Sequence, residues 1–112
     1  MDIEGWEFRA LLQLPVFFEK INGLVVEFHD LDFAGKKFEE IIDLFSTHFY
    51  IAHTHANNFG GLINNTKHPK VLEITFINKA IANDSKLSSQ KYPLPGIDFP
   101  CNLRGYDYEL IF

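Results

Sequence analysis

Cysteine is almost absent. Among 112 residues only Cys101 carries a thiol, which excludes an internal disulfide and gives no sign of an exported, disulfide-stapled scaffold. Basic charge is in short supply too: 10 Lys and Arg stand against 15 Asp and Glu, a formal net charge of -5. A chain with that balance and no basic stripe is a poor electrostatic match for phosphates, so nucleic acid is not expected as a partner. Long hydrophobic runs are missing. The longest, Phe49-Tyr50-Ile51-Ala52, has four residues, against the roughly 20 that span a bilayer. The opening Met1-Asp2-Ile3-Glu4-Gly5-Trp6-Glu7 has no basic region followed by an apolar stretch, so no signal peptide, no membrane partner and a cytoplasmic location are expected. Glycine-rich phosphate loops and nucleophile elbows are absent as well; Gly60-Gly61 reads as a turn because no strand–helix junction flanks it.

What the chain does have is phenylalanine, 12 of it, within a hydrophobic fraction of 46% and an aromatic fraction of 15%. That excludes intrinsic disorder and is enough for one domain with a true core. Its spacing divides the chain. Residues 1–5 resemble the end of a strand entering a turn. Trp6, Ala10, Leu11 and Leu14 then fit a helix that Pro15 stops, and Pro15 can open a short second helical piece through Ile21 before Asn22-Gly23 ends it. Residues 24–29 form a β-branched and aromatic run with apolar groups on both faces, the pattern of an interior strand. Ala34, Phe38, Ile41, Ile42 and Phe45 share one helical face opposite Lys36, Lys37, Glu39, Glu40 and Asp43, with Asp32 as the expected N-cap.

Residues 49–55 and 71–77 read as further strands, separated by an Asn- and Gly-rich loop with no helical period. Two strand–helix–strand units predict a mostly parallel α/β sheet with helices on its faces, and the helix-free loop predicts an antiparallel last strand. Composition shifts after Ala82: residues 83–112 form an irregular tail around Pro93, Pro95 and Pro100, with a short terminal strand at 108–112.

Strand carboxyl ends are where parallel α/β sheets place functional groups. Asp2 and Glu4, then His29 and Asp30, then His53, His55, Asn57 and Asn58 fall at three such ends. His29 or Asp30 can serve as an acid–base group, although as neighbours on a strand they point to opposite faces and do not form a dyad. His53 and His55 share a strand face and, with His29 or Asp30, can form a facial metal site; alternatively they bond to loop carbonyls. With no cysteine or carboxylate at a diagnostic spacing, no metal is expected. Glu27 and Glu73 lie inside apolar strands, where a buried carboxylate needs a partner. Phe17, Phe18, Phe28, Phe38, Phe45 and Phe76 are the expected core, His48 and His68 are expected in solvent, and Cys101 has no evident activating partner.

Asp2-Ile3-Glu4-Gly5-Trp6-Glu7 followed by an amphipathic helix resembles the D-[IV]-E-G-x-E segment of FkbM-type S-adenosylmethionine-dependent methyltransferases. There the segment closes the fourth strand of a Rossmann-like sheet. Val25-Val26-Glu27-Phe28-His29-Asp30, Ile51-Ala52-His53-Thr54-His55-Ala56-Asn57-Asn58 and Val71-Leu72-Glu73-Ile74-Thr75-Phe76-Ile77 also look like that family's fifth, sixth and antiparallel seventh strands. The resemblance covers residues 1–82. It implies a partial Rossmann-like methyltransferase sheet, the C-terminal half of an enzyme whose Gly-rich cofactor loop this sequence does not contain. It further implies S-adenosylmethionine as cofactor and methyl transfer to a hydroxyl of a sugar or small metabolite. Asp2 and Glu4 would lie at the cofactor and substrate edge, and His29, Asp30, His53, His55 and Asn57 would line the acceptor side by position. The family motif gives them no catalytic role, and His29 or Asp30 is the base candidate on its own acid–base chemistry. The alternative is a non-catalytic truncated α/β domain that associates with itself or a partner chain, self-association or the missing N-terminal half being the expected partners.

Overall fold

The computed structural model describes residues 1–83 and 86–110. Its elements are α1 (Glu7–Leu11), a 3-10 segment (Pro15–Lys20), β1 (Gly23–Phe28), α2 (Leu31–Ser46), β2 (Phe49–Ala56) and β3 (Leu72–Asn78). Strands and helices thus arise close to where hydrophobic period and turn residues predict them. α2 starts three residues early, however, with Asp30 rather than Asp32 at its N-cap; Asp32 instead pairs with Lys70 at 3.2 Å. α1 is shorter than predicted, and Trp6 faces solvent while Glu7, Phe8 and Leu11 face the core.

The sheet corrects the expectation of a mostly parallel, Rossmann-like arrangement. Its strand order is β1-β3-β2, and both ladders are antiparallel. The crossover through α2 does leave β1 and β2 running in the same direction. β3 inserts between them, occupies the inner edge of each, and so prevents any parallel pairing between the two. The expected antiparallel direction of the last strand is present; its central position is not visible in a hydrophobic period. β1 is accordingly not an interior strand covered on both faces: Val25 is 54% exposed. Beyond its free edge, Met1 N donates to Val25 O at 2.5 Å and Glu27 N donates to Met1 O at 2.8 Å. That staggered pair of bonds, one on either side of Val26, is the pattern of parallel pairing.

Helices cover one face of the sheet instead of both. Phe28 packs against Phe8 of α1 at 5.8 Å and Phe38 of α2 at 5.1 Å, centroid to centroid. Phe45 touches Phe18, Phe49 and Phe76, each within 5.5 Å. Edge-to-face and tilted rings of this kind add to the area they bury. Phe17, an expected core residue, is 50% exposed. The opposite face of β2 and β3 carries the tail, held by contacts from His53, His55 and Glu73 to residues 98–107. The predicted terminal strand at 108–112 falls partly outside the described residues; Leu110 forms an isolated bridge with Tyr92.

β2 contains a register shift between Ile51 and His53. Without it, Phe49, Ile51, His53 and His55 would all face the same side. The extra residue returns Thr54 and Ala56 to the core face and puts both histidines on the tail face. Among the described residues, no helix is long and apolar enough to cross a membrane.

Truncating Phe45 to alanine should lower unfolding free energy by about 3–5 kcal/mol in a denaturant titration. The same change at exposed Phe33 should stay within about 0.5 kcal/mol.

Candidate active site

The opening turn builds the site. Trp6 N donates to Ile3 O at 3.3 Å, closing four residues in which Glu4 and Gly5 both adopt positive φ, 53° and 93°. Such a turn favours glycine, and a Cβ on Gly5 would stand 3.3 Å from Asp30 Oδ2. The turn sets the start of α1 against the end of β1. There Glu7, fully buried, meets His29: Glu7 Oε1 lies 2.6 Å from His29 Nδ1 and also accepts the Ile3 backbone N–H at 3.3 Å. An oxygen already accepting from an amide makes Nδ1 the donor in this pair, which leaves Nε2 to face outward.

Nε2 faces carboxylates. Glu27 Oε1 is 3.5 Å away, Glu4 Oε2 3.7 Å and Asp2 Oδ1 3.8 Å. Glu27 is held by a 2.8 Å hydrogen bond from Asn57 Nδ2, and Asn57 Oδ1 in turn accepts the Phe59 amide at 2.9 Å. These side chains line an open cleft of about 360 Å³ floored by Gly60 and Val71. Gly60 is required there, since a Cβ would come within 2.5 Å of Val71. A larger groove of about 520 Å³ beside β2 is lined by apolar residues together with Tyr50, Lys79, Lys86 and Tyr92.

The electrostatics follow from this crowding. Partial burial works against a charged His29, but the hydrogen bond to Glu7 and the charges of Glu7, Glu27 and Glu4 outweigh it and raise its pKa above the ordinary 6.5. Burial raises the Glu27 pKa above 4.5, with Asp2 and Glu73 adding to the rise against the opposing Asn57 bond and His29 charge. Glu7 Oε2 is buried without a hydrogen-bond partner among the described residues. An orphaned polar atom of this kind is costly, and functional sites are where such costs are tolerated. A buried carboxyl that orients an imidazole, with the far nitrogen open to a cleft, is equipped for proton transfer; the surrounding acids favour cations.

Four expected site residues, Asp2, Glu4, His29 and Asn57, converge in this cleft. Asp30 does not: it sits at the α2 N-cap with φ 55° and does not line the cleft. His53 and His55 do not reach the cleft either. His53 bonds Asp98 at 3.0 Å and His55 bonds Asp107 at 3.0 Å, each carboxylate coming from the tail. The facial metal site of His53, His55 and His29 is therefore not assembled. Glu7 is the member that residue-by-residue reading missed. Its signal was an acidic residue at helical spacing from Leu11 and Leu14, on the buried side of the first helix. Glu27 has the partner its burial demanded, and Cys101, expected to have no activating partner, lies 3.7 Å from Glu73 Oε1; burial and this neighbour together raise the thiol pKa.

Comparison with known proteins gives no match: no family model fits the chain, and no curated protein or solved structure is significantly similar to it.

His29 makes stability pH-dependent with a definite sign. A pKa raised on folding means that the folded state holds the proton more tightly. The stabilisation is complete below pH 6.5 and is lost as pH rises through the raised value. The melting-temperature advantage of the wild type over His29→Gln should therefore shrink from pH 6 to pH 8.5. An advantage that grows would reverse the assignment.

Proposed function

We propose that this chain is the acceptor-side, C-terminal portion of an FkbM-like, S-adenosylmethionine-dependent methyltransferase that acts in the cytoplasm on a hydroxyl of a sugar or small metabolite. The observation that carries the reading is the His29–Glu7 pair facing a cleft shared with Asp2 and Glu4. Three of these four residues come from the Asp2-Ile3-Glu4-Gly5-Trp6-Glu7 segment on which the resemblance rests.

S-adenosylmethionine supplies an electrophilic methyl group on a positively charged sulfur. The exposed carboxylates of Asp2 and Glu4 fit that charge, and no residue of the cleft opposes it except His29 when protonated. His29 would take the acceptor hydroxyl proton at Nε2 as the oxygen bonds the methyl carbon and that carbon's bond to sulfur breaks, the electron pair staying on sulfur and the thioether S-adenosylhomocysteine leaving. Glu7 holds the ring and favours the imidazolium so formed. Asn57 fixes Glu27 beside Nε2, where its charge adds to the same effect. Raised basicity makes His29 a stronger base but leaves less of it deprotonated near neutrality, so turnover should rise with pH through the His29 transition. The parallel bonds between Met1 and the outer edge of β1 support placing the segment that carries the resemblance beside that strand.

Calorimetric titration with S-adenosylmethionine and with S-adenosylhomocysteine, whose sulfur is uncharged, tests the donor site. Replacing Asp2 by Asn and Glu4 by Gln together should weaken the sulfonium ligand selectively. Failure of the folded wild type to bind either ligand would remove the donor pocket from this chain. With the N-terminal half supplied, His29→Gln should lower methyl transfer by about 10²-fold or more.

A second reading, association without catalysis, draws on a different observation. Trp6, Leu12, Val16 and Phe17 expose large apolar side chains along α1 and the 3-10 segment, Val16 to 80%. Surfaces of this composition pair with one another. Sedimentation mass should then rise with concentration, whereas a strict monomer at millimolar protein would end this reading.

A further inference from the structure

The tail face of the sheet carries a second cluster, separate from the cleft. His55 on β2 and Glu73 on β3 are direct register partners, and the tail brings Cys101 and Asp107 over them. We propose that His55, Glu73 and Cys101 form a binding site for a zinc-class divalent cation, with Asp107 as the residue that positions His55.

Spacing is the first argument. His55 Nδ1 stands 3.8 Å from Glu73 Oε2, beyond hydrogen-bond reach, and Cys101 Sγ stands 3.7 Å from Glu73 Oε1. Nitrogen, oxygen and sulfur ligands around one tetrahedral zinc are about 3.4–3.6 Å apart. One potential ligand atom from each of the three residues lies within 4.8 Å of the others. The ligand set itself is the second argument. Thiolate, imidazole and carboxylate together suit zinc better than magnesium or calcium, which take oxygen.

The third argument is orientation. Asp107 Oδ2 lies 3.0 Å from His55 Nε2. A proton shared on that side leaves the Nδ1 lone pair directed at Glu73, an arrangement that a cation between them satisfies. Metal-bound histidines commonly have a carboxylate on the other ring nitrogen.

The tail loop is also pinned in place. Asn58, buried, accepts the Asn102 amide at 2.6 Å and donates to the carbonyls of Asn102 and Tyr106 at 3.1 Å each. Gly105 makes room, since a Cβ there would meet Asn58 Nδ2 at 3.3 Å. One buried amide thus fixes the segment that bears both Cys101 and Asp107. Binding would release the thiol proton and tie the tail to the sheet.

Cobalt(II) titration of chelator-treated protein tests the site, because a thiolate ligand gives an intense sulfur-to-cobalt charge-transfer absorption. One equivalent should develop that band, zinc should abolish it by displacement, and zinc should raise the melting temperature. Asp107→Asn should keep the band but weaken affinity by about 10- to 100-fold. Cys101→Ser should lose the band. A wild-type protein with no charge-transfer band overturns the proposal and leaves a hydrogen-bonded latch. Zinc affinity unchanged in Cys101→Ser also overturns it, placing the ion at Asp2, Glu4 and His29, which have no sulfur.

Discussion

β3 lies between two strands that would otherwise be neighbours, and the register of the whole sheet depends on that insertion. A central strand supplies hydrogen bonds to both sides, so β1 and β2 are both fixed in register by the same strand, β1 along Leu72–Ile77 and β2 along Leu72–Asn78. Its alternation then divides the molecule. Ile74 and Phe76 enter the aromatic core, whereas Glu73 and Thr75 face the tail. Register places Glu27, Glu73 and His55 in one row across all three strands. Displacing β3 by one residue would exchange the two faces and disperse that row.

The row couples the two clusters electrostatically. Glu73 contributes to the raised pKa of Glu27 on one side, and with Glu27 and Asp107 it adds to the burial that pushes the Cys101 thiol up on the other. The acids outnumber the nearby imidazoles. Both ends of the row therefore favour positive charge, the condition that the cation-binding proposals for the cleft and for the tail face share. The two ends differ in enclosure. The cleft is open and rimmed by exposed Asp2 and Glu4, whereas His55 is buried beneath the tail.

Local devices aim the side chains once the sheet is set. The Glu4-Gly5 turn swings Glu7 under His29; the register shift in β2 takes His53 and His55 out of the core; Asn57 and Asn58, adjacent in sequence, serve the cleft and the tail loop respectively. None of these devices involves many atoms. Each acts at a junction where an ordinary strand or helix would point the same residue elsewhere.

Period, turn residues and composition determined the elements: three strands within one residue of their observed bounds, the main helix and the Pro15 start of the 3-10 segment. These are local properties, fixed by which residues within a few positions can share a face. The convergence of Asp2, Glu4, His29 and Asn57 was also legible, since each ends a strand or its turn. Strand order was not. Antiparallel and parallel neighbours bury the same apolar pattern, and only competition for the edges of β1 and β2 placed β3 between them. Sequence spacing likewise gave no indication that a carboxyl on the first helix would hold His29, or that Cys101 would reach Glu73 across 28 residues. Those pairings arise only once backbone hydrogen bonding and tail packing have brought distant segments within a few ångströms.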